Sequence, residues 1–127
     1  MRRSVIEVVN DSIPSSSEVY SAAQFNEVLG SCDQVALHAV CDQITSSSPT
    51  ISVRLHQSGD NRNFEAKTGS AIIASVSLTA GATSNAFGAD AGTTPNQGFI
   101  RLAITLGGTG TVSGHVRIYA TLRDQRS

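Results

Sequence analysis

Side chains able to do acid, base or nucleophilic chemistry are few in this chain: His38, His56 and His115, ten carboxylates, two cysteines and a background of serine. A hydrolase built on serine needs a nucleophile raised on a tight turn and a histidine held against it, and the G-x-S-x-G elbow that does this is absent. Each histidine instead falls on the polar register of a strand pattern, where a solvated or surface-bonded imidazole is the ordinary outcome. Carboxylates for glycoside hydrolysis would have to come from Asp42, Asp60, Glu65 or Asp90, which are scattered among turns and strand ends. No catalytic residue is expected, and the chain reads as a non-enzyme.

Metal and cofactor chemistry finds no better footing. Cys32 and Cys41 are nine residues apart, without a C-x-x-C spacing or neighbouring histidines, so zinc is not expected. Cys41 lies on an apolar register and Cys32 in a turn before it, which favours two free thiols over a bridge that would need the chain to double back. The run Ser58-Gly59-Asp60-Asn61-Arg62-Asn63 is rich in oxygen ligands but lacks the alternating pattern and distal Glu of a calcium loop, and a hairpin turn between Leu55 and Phe64 is the expected reading. Gly107, Gly108 and Gly110 form neither G-x-G-x-x-G nor a P-loop and suit a connection between strands. No cofactor or metal is implied.

The elements that would position any site announce themselves by period-two alternation, which puts every second side chain on one face of a strand. Val35, Leu37, Ala39 and Cys41 alternate in 34–44, and Ile51, Val53 and Leu55 in 50–57. Ser46-Ser47-Ser48-Pro49 between them is turn material, and a hairpin is expected there. Ile72, Ala74, Val76 and Leu78 repeat the pattern; Ile100, Leu102, Ile104 and Leu106, then Val116, Ile118, Ala120 and Leu122, give the strongest pair, joined across a glycine-rich segment expected to close a second hairpin. Residues 18–22 and 25–29 read as two short strands, and Asn85 to Phe87 as another inside a long, weakly patterned loop over 79–98.

Short strands, no sizeable helix and Gly/Ser/Pro punctuation predict an all-β fold, a single antiparallel β-sandwich of jelly-roll type. One domain over 18–127 is expected, preceded by a β-prone N-terminal arm over 1–17 that Asp11, Pro14 and three serines set off. Only 15% of residues are charged and the net charge is -1, so there is no overall field to draw the chain onto nucleic acid or an anionic membrane. No apolar run reaches the length of a membrane span, and Glu7 interrupts any signal-peptide core after Met1-Arg2-Arg3, so neither leader nor anchor is expected.

Candidate partner contacts are Val5, Ile6, Val8 and Val9 of the arm, Phe87 among small uncharged residues, and Arg54, Arg101 and Arg117. The arginines share the polar register of the late strands with His56, His115 and Tyr119 and could gather on one face. Without interleaved aromatics that face lacks the stacking platform of a single-strand binder, and nucleic acid is not expected as a partner. An extracellular carbohydrate- or protein-binding β-sandwich module is the alternative reading. Against it stands the absence of tryptophan, with Tyr20, Tyr119 and four phenylalanines as the whole aromatic stock.

Three segments, SPTISVRLHQSGDNRNFE, NAFGADAGTTPNQGFIRLAITLGGTG and GHVRIYATLRDQ, carry a resemblance. The block from Val35 through Arg123 that holds them resembles small β-sandwich structural proteins of tailed phages, of the capsid-decoration or minor-virion type. The shared features are strand and turn patterns, so no site residue carries over. The resemblance implies a non-enzymatic virion component that associates with itself, as a homo-oligomer, or with a major capsid or other virion protein.

Overall fold

The computed structural model describes residues 2–13, 18–31, 34–66, 71–89 and 98–124. Its strands are β1 (Arg2–Ile13), β2 (Val19–Tyr20), β3 (Gln34–Ser58), β4 (Glu65–Ala66), β5 (Ile73–Ser77), β6 (Ser84–Ala89) and β7 (Phe99–Asp124). A 3-10 turn (Ala23–Phe25) running into the short helix α1 (Asn26–Gly30) separates β2 from β3.

Two very long strands organise everything else. β3 and β7 pair antiparallel along nearly their whole lengths, from Gln34↔Arg123 to Ser58↔Phe99. Midway the register shifts three times, between Asp42 and Thr50, and here Gln43 and Ser48 each take φ of 55°. Across from them Gly108 takes φ of 149°, a value that suits glycine. Both strands bend through this corner, so their two halves serve two different sheets.

The first sheet runs β1, second half of β7, first half of β3, β6. The second runs β2, first half of β7, second half of β3, with β5 and then β4 along the far edge. All neighbours are antiparallel, and the chain passes between sheets from β1 to β2, into β3, halfway along β3, and again through β6 and β7. That wrapping of two four-stranded antiparallel sheets is a jelly roll. The expected sandwich is therefore present.

The expected hairpins are not. The segments 34–44 and 50–57 never pair with each other, nor do 98–106 and 115–122; each pairs with the other long strand. The serine run and the glycines make a corner where the chain changes sheets, not a reversal.

The two inner faces close on one core that includes Leu37, Ile51, Val53, Ile104 and Ile118, all buried. β5 departs from the expected pattern: Ile73 is fully buried while Ile72 and Val76 are only half-buried. A register shift between Ile51 and Val53 and a φ of 45° at Ser75 break the alternation. The strand expected over 25–29 is helical, with buried Leu29 four residues after the core-packed Phe25 on one helix face.

Arg2–Ile13 is not a separate arm. β1 pairs with β7 from Arg2↔Asp124 to Ile13↔Gly114, and Val8, Val9 and Ile13 enter the core. Consecutive valines both point inward because a bulge between Glu7 and Val9 interrupts the alternation. Residue 1 and residues 14–17, the remainder of the expected arm, lie outside the described residues, as do 90–97 of the expected contact loop and Cys32. Cys41 is buried and free.

Candidate interaction surfaces

The outer face of the first sheet is fixed by its register. Val5, Thr121, Ala36 and Ala89 form one cross-strand row; Glu7, Tyr119, His38 and Phe87 the next; Asn10, Arg117, Val40 and Asn85 the third. Its first two rows are mostly apolar and aromatic. Phe87 is 68% exposed and Val5 63% exposed, the two most open large apolar side chains among the described residues. His38 stacks on Phe87, ring centroids 4.3 Å apart at 12°, and lies 6.1 Å from the Tyr119 ring. Its Nε2 donates to Asn85 Oδ1 at 2.8 Å, which holds the imidazole flat beneath Phe87.

Farther along this face the groups are polar and paired. Asp42 receives Arg117 at 3.3 Å and the Thr83 hydroxyl at 2.6 Å. His115 Nε2 donates to Asn10 Oδ1 at 2.6 Å, leaving Nδ1 to face Ser12 Oγ at 3.5 Å. That serine–histidine contact is at the outer limit of a hydrogen bond, and Ser12 and Asn10 are exposed, so the trio has none of the water exclusion on which nucleophilic chemistry relies.

The outer face of the second sheet carries a different construction. The Arg101 guanidinium is sandwiched, its central carbon 3.7 Å from the Tyr20 ring centroid and 4.2 Å from that of Phe64. Tyr20 is pinned by its hydroxyl, which donates to Glu18 at 2.6 Å. That bond raises the phenol's pKa. His56 is the direct cross-strand partner of Arg101, and its ring lies 5.9 Å from that of Tyr20. Burial, then the positive charges of Arg101 and Arg54, lower the His56 pKa against the opposing pull of Glu18. His56 Nδ1 and Arg101 Nε are buried and meet no hydrogen-bond partner among the described residues.

The loop after β3 is a self-contained turn. Asp60 accepts from Ser58 Oγ, the backbone N–H groups of Arg62 and Asn63, and Asn63 Nδ2, all within 2.9 Å, and these bonds hold its carboxyl well below the usual carboxylate range. With these bonds Asp60 closes the hairpin from β3 to β4. Among the described residues no three His, Cys, Asp or Glu side chains converge.

The expected contact residues therefore separate. Val5 and Phe87 are exposed on the first face, Ile6 is partly buried, and Val8 and Val9 are core residues at 2% and 4% exposure that no partner can reach. The arginines do not gather: Arg117 lies on the outer face of the first sheet, tied to Asp42, while Arg54 and Arg101 lie on the outer face of the second. Sequence reasoning missed Tyr20 and Phe64 as companions of Arg101. The visible signal was their aromatic type beside β-segments, in a chain with so few aromatics.

Fold and surfaces together define a jelly-roll domain with one apolar-aromatic face and one arginine-aromatic face. No protein-family model matches the chain and no curated protein matches it in sequence. Among solved structures it is similar to a chain of infectious bursal disease virus, Gt strain, with a TM-score of 0.54 and 13% identity over 98% of this chain and 33% of that one. A chain of the T13 particle of the same virus gives 0.55 and 13% over 96% and 31%. The VP2 subviral particle of that virus gives 0.52 and 10% over 98% and 33%. At these identities the likeness is one of fold. The present chain spans about a third of the length of those chains.

Proposed function

We propose that this chain is a non-enzymatic structural protein of a virus particle, working through packing of its jelly-roll domain against copies of itself or against another shell protein. The observation that carries the reading is that nearly the whole chain superposes on viral-particle chains. Low charge supports it, because many copies can lie together without strong mutual repulsion. The first sheet's face adds an anchor: Phe87, prestacked on His38, offers a rigid aromatic beside Ala36 and Ala89, with Val5 on the opposite edge strand of the same face.

The finer form of the proposal is a decoration or minor component of a phage shell, located in the virion and active as a homo-oligomer or bound to the major capsid protein. Sedimentation and electron microscopy of the purified full chain, alone and mixed with candidate shells, test it. Discrete oligomers, or saturable binding to a shell, are expected. A protein that stays monomeric at all concentrations and binds no shell would remove the proposal.

A further inference from the structure

We infer that the outer face of the second sheet is a carboxylate-binding site, in which Arg101 receives an aspartate or glutamate side chain of a protein partner. The inference does not depend on the particle in which the chain serves. Guanidinium groups left on a sheet surface normally sample many rotamers, and ordering them on binding costs affinity. Here that cost is met in advance, because Tyr20 and Phe64 clamp the guanidinium from both sides and Glu18 pins Tyr20.

Charge points to the same ligand. Among the described residues Arg101 makes no ion pair, and the carboxylate that approaches this cluster, that of Glu18, accepts from the Tyr20 hydroxyl. His56 Nδ1 and Arg101 Nε, buried in this cross-strand pair, have no hydrogen-bond partner among the described residues, so stacking and not hydrogen bonding holds the guanidinium. Arg54, exposed two positions before His56 on the same face, adds a second positive charge at the rim. A planar carboxylate meets a clamped guanidinium end-on through its two terminal nitrogens, a geometry that an ammonium group cannot reproduce. Nucleic acid fits less well: a polyphosphate backbone needs a row of cations, and among the described residues this face presents two guanidiniums beside Glu18, on a chain of net charge -1.

The test uses the intact protein and four probes: a short neutral peptide with one central Glu, the same peptide with Gln, inorganic phosphate and a thymidine oligonucleotide. Binding is read from the Arg101 Nε–H resonance and from tyrosine fluorescence, which no tryptophan obscures. The Glu peptide should saturate and the Gln peptide should bind at least tenfold more weakly. Arg101→Lys, which keeps the charge, should lose at least tenfold in affinity with an unchanged melting temperature, and Phe64→Leu should weaken binding by loosening the clamp. Equal binding of both peptides, an unchanged affinity in Arg101→Lys, or tighter binding of phosphate or the oligonucleotide than of the Glu peptide would each overturn the assignment.

Discussion

His38 and Phe87 lie stacked across β3 and β6, with 4.3 Å between ring centroids, although Phe87 is among the most exposed apolar side chains of the domain. A core residue gains its place by burial, whereas Phe87 has hardly any to lose, so its removal should barely touch stability. Phe87→Ser is expected to shift the unfolding free energy by less than about 1 kcal/mol, the range of surface substitutions. If the first sheet's face mediates assembly, the same variant should sediment as smaller species than the wild type at equal concentration. Unchanged sedimentation across a hundredfold dilution series would exclude Phe87 as an anchor.

Gly88, next to Phe87, behaves in the opposite way. It sits opposite Leu37, and a Cβ built on it would collide with the backbone carbonyl of Ile72, which crosses over it at the side of the sandwich. Backbone cannot step aside as a side chain tip can. Gly88→Ala should therefore cost about 1–3 kcal/mol, as overpacking does. Gly59→Ala is the control, since nothing lies within 4 Å of its added Cβ. It should be neutral or stabilising by up to about 1 kcal/mol, through loss of unfolded-state freedom. Urea melts of the two variants decide it, and equal destabilisation in both would refute the packing at Gly88.

The integration of β1 gives a third expectation. Ile13 is 1% exposed at the end of β1, whereas Val5 near its start is 63% exposed. Ile13→Ala should cost about 2–5 kcal/mol, with Val5→Ala close to silent. Were 1–17 an appendage, both would be silent, and a truncated chain lacking it would melt like the whole. The structure leads to the reverse outcome, a truncated chain that loses cooperative unfolding because Val8, Val9 and Ile13 leave the core open.

What the sequence disclosed was facing, and what it withheld was partnership. Alternation at Leu37, Val53, Leu102 and Ile118 told correctly which side chains turn inward, because a strand has only two faces. It could not tell that 34–44 and 50–57 belong to one bent strand, since a corner built on Gln43 and Ser48 at positive φ uses residues that give no such signal. Phe87 was legible as an aromatic stranded among small residues. The clamp on Arg101 was not, because Tyr20, Phe64 and Arg101 come from distant segments that only the sheet order brings together. For the same reason the three arginines shared a register and yet lie on opposite sides of the sandwich.

Cys41 supplies the last prediction, a dependence of stability on alkaline pH. Its side chain is fully buried on the inner face of β3, opposite Val116 and Ser84. Burial first, and then the charge of the adjacent Asp42, push the thiol up to about 11 from an ordinary value of 9.0. The thiolate is the reactive form, so a disulfide reagent at neutral pH should label Cys41 only through unfolding, in a Cys32→Ser background that removes the second thiol. Because the folded pKa lies above the unfolded one, the unfolded chain gives up its proton first as pH rises. Between about 9 and about 11 the native state holds more protons than the unfolded state, and its stability falls as pH climbs; below about 9 this group contributes no slope. Cys41→Ala removes the titrating group, so urea melts at pH 8, 9.5 and 10.5 should show the wild type losing more stability than the variant over that interval. Parallel losses in the two proteins, or rapid labelling of Cys41 in the folded state, would show that the thiol is not sealed in the core.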